Sequence, residues 1–299
     1  MIESPAKPSK TTVFLRRSFS SVLLWGVVLG SVLSGNKLIS DAVFFLMMLA
    51  IAGLGLSEFY ALSGDRVSAS FARWGVWGGV LLAVTTNIGL SGLGGARWQA
   101  HVGEIEGLVL TLLLIGLCLW RFLSSTARDG MTAIGVTLFG VLYVSWLLNY
   151  IQKIYFFSGV QGSYYLLLFI FATKFSDLGA YVTGSLFGRH KMIPRISPGK
   201  TWEGFAGALV ISTLVSVGFA WAAGGRLPDL TLGHAAVIGL VLGSTAVIGD
   251  LVESVLKREA GVKDSGRLFP GIGGVLDLMD SLLFNAPLMY LYLRYVVIG

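Results

Sequence analysis

LGHAAVIGLVLGSTAVIGDLVESVL, residues 232 to 256, runs directly into KREAGVKDSGRLFPGIGGVLDLMD, residues 257 to 280. The first stretch is apolar and long enough to cross a hydrocarbon core as a helix, which takes about 20 residues. The second crowds charges and glycines between that stretch and another apolar run. Irregular backbone exposed to lipid would leave its amides and carbonyls unpaired, so the charged stretch belongs at a membrane surface.

The same alternation recurs along the chain. Of 299 residues, 55% are hydrophobic and only 13% charged, and the mean hydropathy is +0.77, outside the range of a water-soluble domain. Nine windows read as spans, at 18–35, 39–63, 71–95, 105–123, 130–151, 160–187, 203–224, 232–256 and 275–297. The expected fold is all-α: a polytopic membrane bundle of about nine helices, forming one domain over 18–299 behind a basic tail at 1–17. That tail precedes a span with no small-residue cleavage site after it, so the span reads as retained. No internal repeat is evident. Glycine pairs such as Gly184 with Gly188 and Gly239 with Gly243 have the spacing of close helix packing.

Basic residues accumulate on the cytoplasmic side of membrane proteins, and here they test the span count. With the N-terminus inside, sixteen of the 22 Lys and Arg residues fall on inner loops, five fall outside, and Lys174 lies within a span. The net charge of +6 thus follows from topology and attraction to anionic lipid, and no nucleic-acid partner is implied. The lone Cys118 lies in an apolar run, which excludes a disulfide framework or a cysteine metal cluster.

Charged groups inside spans are costly and therefore informative. Asp177 would sit about 15 Å from the inner end of its helix, and Asp250 about 10 Å, at 1.5 Å rise per residue. Asp277 and Asp280, three apart, would share a face in the first turns of the last helix, where the dipole favours negative charge. All four point to one pocket open to the cytoplasm. Carboxylates without histidine or cysteine partners suit Mg²⁺ held together with substrate phosphates, with Asp250, Asp277 and Asp280 as metal ligands. Lys257, Arg258 and Lys263 crowd one inner loop and Lys200 lies in another, where they can neutralise phosphate; Glu58 reads as a packing contact.

SPGKT, residues 197–201, suggests a phosphate loop, but Pro194 stands where that motif needs glycine, and no strand is expected among lipid-embedded helices. Ser197 and Thr201 still precede a helix starting near Glu203, where hydroxyls and free amides can meet an anion.

Four ordered motifs resemble the bacterial phosphatidate cytidylyltransferases, or CDP-diacylglycerol synthases: FSDLGAYVTGSLFG (175–188), SPGKTWEG (197–204), GDLVESVLKREAGVKDSG (249–266) and PGIGGVLDLMDSLLF (270–284). They concentrate the expected chemistry in 170–285. The last motif departs twice from the family pattern, with Ile272 at its histidine and Leu278 at its arginine. The resemblance implies that CTP and phosphatidic acid react, with Mg²⁺, to give CDP-diacylglycerol and pyrophosphate for phospholipid synthesis in the cytoplasmic membrane, the site facing the cytoplasm. Asp250, Asp277, Asp280 and Lys257 would be catalytic, with Ser197, Lys200, Lys263, Arg258 and Asp177 at the substrates and Asp264 and Glu203 orienting the basic groups. Partners would be CTP, phosphatidic acid and membrane lipid, a homodimer being left open. Two rival readings remain at this point: a CTP-dependent enzyme acting on another lipid phosphate or alcohol, and an ion-coupled transporter whose intramembrane acids bind cations.

Overall fold

The computed structural model describes residues 36–124, 130–269 and 273–298, together with Gly26, Leu29 and Gly30. Eight long helices occupy it: α1 (Lys37–Ser63), α2 (Ala69–Leu90), α3 (Val102–Leu123), α4 (Met131–Tyr155), α5 (Gly162–Phe187), α6 (Trp202–Ala223), α7 (Leu232–Glu259) and α8 (Val275–Tyr292). Each falls on one of the expected windows, while the tail at 1–17 and most of the window at 18–35 lie outside the described residues. Six of the helices are long and apolar enough to cross a membrane, and the protein is an integral membrane protein of nearly all-α architecture.

Helix starts follow from local chemistry. Oxygen atoms of Asn36, Thr201 and Thr231 accept from the first free amides of α1, α6 and α7, at 3.1 Å from Leu38 N, 3.1 Å from Gly204 N and 3.2 Å from His234 N. Helix α4 is broken by a π-helical turn at Val141–Trp146, which re-aims its side chains toward the bundle interior.

One correction concerns strands. Residues that were expected to contain none form an antiparallel hairpin, β1 (Lys191–Ile193) against β2 (Ser197–Thr201), in the connection between α5 and α6. The strands satisfy each other's backbone, so the pair is tolerated where an unpaired strand would not be. SPGKT is itself the second strand and leads straight into α6.

Apolar side chains such as Phe44, Leu56, Phe71, Leu148, Phe169 and Leu283 fill the interior, and Leu46, Trp77, Leu112, Phe122 and Leu214 point outward, as lipid-facing positions do. Helices α5, α6 and α7 approach closely because their facing residues are small. A Cβ on Gly239 would lie 2.5 Å from Thr213 Cα, and one on Gly179 would lie 2.8 Å from Gly207 O. Hydroxyls fasten the contacts, Ser212 Oγ donating to Ala172 O (3.0 Å) and Ser216 Oγ to Ala235 O (2.6 Å), each worth about 0.6 kcal/mol in a bilayer.

A second polar layer lies at the other end of the bundle, between α2, α3 and α4. Glu106, 2% exposed, pairs with Lys153 Nζ at 2.6 Å and accepts from Thr86 Oγ1 (2.9 Å) and Asn149 Nδ2 (3.1 Å). Gln152 continues the chain to Asn149 Oδ1 (3.0 Å) and Ala83 O (3.2 Å), and accepts from Asn87 (3.0 Å). With donors and acceptors matched, this layer ties three helices together.

Candidate active site

The C-terminal ends of α5 and α7 and the N-terminal ends of α6 and α8 meet at one end of the bundle, with the hairpin beside them. A cavity of about 370 Å³ opens there, lined by Asp177, Tyr181, Ser197, Lys200, Phe205 and Asp250, among others. Its charged groups come from three elements, Asp177 from α5, Lys200 from β2 and Asp250 from α7, and Tyr181 and Phe205 add aromatic wall from α5 and α6.

Lys200 comes from β2 and reaches across to α7, where Nζ pairs with Asp250 Oδ2 at 3.0 Å and donates to Val247 O at 2.9 Å. Two turns after Asp250, Lys257 Nζ pairs with Glu253 Oε2 at 2.8 Å and with Asp277 Oδ1 of α8 at 2.7 Å. Glu253 lies four residues before Lys257 and three after Asp250, on the same helix face. Among the described residues, Asp250, Glu253 and Asp280 present carboxylate oxygens all within 4.8 Å of one another.

Asp277 and Asp280 therefore take different parts, although a shared face was expected of them. Asp277 is turned to the loop ahead of α8: Oδ2 accepts from Ser265 N (2.8 Å), Ser265 Oγ (2.9 Å) and Gly274 N (2.8 Å), and Oδ1 faces Lys257. Its oxygens are occupied by protein donors. Asp280 faces inward, toward α5 and α7. There Lys174 Nζ donates to Leu278 O (2.8 Å) and Ser281 Oγ (3.1 Å), and lies 3.4 Å from Asp177 Oδ2 and 3.9 Å from Asp280 Oδ1. Ser281 Oγ also donates to Asp177 Oδ2 at 3.0 Å.

Glu58, expected as a packing residue, is built into this loop. From α1 it accepts from Val275 N (3.0 Å), Leu276 N (2.9 Å) and Ser265 Oγ (3.2 Å), so a carboxylate sits on the N-terminal dipole of α8. Gly266 and Gly274 are required beside it, because a Cβ on either would run into its carboxylate.

The remaining expected residues lie further out. Glu203 bonds the backbone amides of Arg189 (3.2 Å) and His190 (3.2 Å) and the His190 ring (2.6 Å), steadying the α5–β1 turn and not the site lysines. Arg258 links the hairpin to the loop after α7 through Ile196 O (3.4 Å) and Val262 O (3.0 Å). Lys263 and Asp264 are exposed, with no side-chain partner among the described residues. Ile272 falls outside the described residues.

Sequence reasoning passed over Glu253, Lys174 and the loop-holding part of Glu58. The signal for Glu253 was present in its i+3 and i+4 spacing from Asp250 and to Lys257; for Glu58 no local signal exists, since its partners lie more than 200 positions away.

The donor set suits a hard divalent cation: oxygen ligands alone, on three carboxylates. One of them, Glu253 Oε1, is buried without a hydrogen-bond partner, and Glu253 as a whole is 1% exposed. A buried carboxylate oxygen left without donors is strongly unfavourable, and a cation between it, Asp250 and Asp280 would satisfy it. The Tyr143 hydroxyl, presented by the π-helical turn of α4, is also buried and unpartnered near these three acids.

Known proteins bear on the chemistry. A model described as the cytidylyltransferase family matches residues 16–296. An uncharacterized protein, YnbB, of Escherichia coli K12 is 34% identical over 285 residues, covering 91% of this chain and 85% of that protein. A phosphatidate cytidylyltransferase of Mycobacterium leprae is 48% identical over 111 residues, 37% of this chain and 34% of that one. Another, from Chlamydia pneumoniae, is 35% identical over 207 residues, 66% of this chain and 67% of that one.

Proposed function

The chain belongs to the cytidylyltransferase family, and from that premise we propose that it transfers the cytidylyl group of CTP to phosphatidic acid, releasing pyrophosphate and leaving CDP-diacylglycerol in the membrane. One observation carries this reading beyond the family: carboxylates from α5, α7 and α8 and lysines from β2 and α7 converge beside one cavity at one end of a membrane bundle. A diacylated phosphate and a soluble triphosphate can meet only at such a depth, near the headgroups. The cationic loops around this end support a cytoplasmic orientation, and the family's bacterial relatives support the inner membrane.

Phosphate monoesters have a second pKa near 6, so the lipid phosphate is largely dianionic at neutral pH and needs no strong general base. One of its oxygens forms a bond to the α-phosphorus of CTP while the bond from that phosphorus to the bridging oxygen breaks, and pyrophosphate departs with the electron pair. Such a transfer is governed by positioning and charge neutralisation. Lys200 and Lys257 neutralise the triphosphate, Ser197 donates to it from the hairpin, and Asp277 holds Lys257, Ser265 and Gly274 in place. Asp250, Glu253 and Asp280 would hold Mg²⁺, which when bound supplies positive charge to the phosphoryl oxygens. Tyr181 and Phe205 give the cavity an apolar wall against the acyl chains.

The test is product analysis with labelled CTP and a panel of lipids. Pyrophosphate and a cytidylylated lipid formed from phosphatidic acid support the reading. CDP as the product would identify a lipid kinase, and turnover with another lipid phosphate alone would replace the acceptor.

A further inference from the structure

The chemistry above makes no use of Lys174, a lysine within a span. It lies one turn before Asp177 on α5, and its side chain is only 22% exposed. Four oxygens surround its ammonium at 2.8 to 3.9 Å: a backbone carbonyl (Leu278), a hydroxyl (Ser281) and two carboxylates (Asp177 and Asp280). Two helices contribute them. A carbonyl, a hydroxyl and carboxylates are also the donors that a hard metal cation takes.

Asp280 belongs to two groups at once. On one side it faces Lys174; on the other it joins Asp250 and Glu253, where Glu253 Oε1 is buried and unpartnered. The acids thus outline two adjacent cation positions that share one carboxylate, as paired metal sites do. One position is filled by a side chain. Each nearby ammonium is already paired: Lys174 with Asp177 and Asp280, Lys200 with Asp250, and Lys257 with Glu253 and Asp277.

We propose that Lys174 is a tethered cation occupying the second of these two positions, so that each chain takes one divalent ion and not two. This rests on the reading that Asp250, Glu253 and Asp280 hold a metal. Lys174 is then a positioning residue. It keeps Asp177 turned away from the ion and fixes the face that Asp280 presents to it, and it sits on the carbonyl of Leu278, where this chain carries no positive side chain of its own.

The experiment is a titration of the purified protein in detergent with Mn²⁺ alone, following the electron paramagnetic resonance signal of the free ion. The unaltered chain binds one ion. Lys174→Ala empties the four-oxygen cage and binds two, with the exchange-coupled spectrum of neighbouring ions, while Lys174→Arg binds one. Ethylammonium added to Lys174→Ala returns the count to one. Two ions on the unaltered chain overturn this inference and leave the proposed metal ligands standing; no ion on the unaltered chain overturns both. A folded Lys174→Ala that still binds one ion also overturns it, and the count on the unaltered chain depends on no variant.

Discussion

Replacing Glu58 by alanine tests whether the loop ahead of α8 is held from α1. The substitution removes an acceptor from two backbone amides and one hydroxyl, at 2.9 to 3.2 Å. Hydrogen bonds to a charged group contribute about 1.5 to 3 kcal/mol each, and a carboxylate on a helix N-terminus adds about 0.3 to 1 kcal/mol. Water recovers part of this at a half-buried site, which leaves about 3 kcal/mol. Most of that falls on 265–269 and 273–276, where its partners Ser265, Val275 and Leu276 lie, because the α1 contacts with the rest of the bundle do not pass through Glu58. At about 1.4 kcal/mol per factor of ten, pyrophosphate release falls about a hundredfold. Glu58→Gln, which keeps an acceptor oxygen but not the charge, falls about tenfold. Loosening is read separately by trypsin, since Arg267 in this segment and Lys263 just before it are exposed: cleavage there accelerates in Glu58→Ala while the melting temperature in detergent shifts by a few degrees only. Full turnover together with unchanged cleavage would refute the assignment.

Three further outcomes are expected. Asp277→Asn and Lys257→Ala each break the 2.7 Å pair and leave a buried partner charge, so turnover falls at least about a hundredfold in both, measured as initial rates at saturating CTP. Gly274→Ala forces a Cβ onto the Glu58 carboxylate and to within 2.5 Å of Ser265 Oγ; it lowers stability by about 1 to 3 kcal/mol and turnover with it, whereas Gly103→Ala, in open space, is silent in both assays. In the far polar layer, Glu106→Leu strands Lys153 and lowers the melting temperature in detergent, and the double variant with Lys153→Met recovers most of the loss with turnover per folded molecule unchanged.

The loop residues show where local reading stops. Asp277 and Asp280 are three apart, which puts their Cα atoms about 60° apart on the helix, close enough to be taken as one face. That angle is enough to send one side chain to Lys257 and Ser265 and the other to the interior. Lys174 reads as a topological oddity until α8 is laid against α5, and only then do a carbonyl and a hydroxyl from α8 explain it. The hairpin escaped notice because three- and five-residue strands carry no period that separates them from a loop.

By itself the sequence determined the helices, their membrane setting and the end of the bundle at which chemistry gathers, because hydropathy, caps and basic loops are properties of each segment alone. Tertiary structure decided which carboxylates stand together, which lysine pairs with which acid, and that Glu58 holds the loop from the far half of the chain. Those choices depend on how each helix is rotated about its axis, and that rotation is set by small-residue contacts and hydrogen bonds between segments, which no single segment encodes.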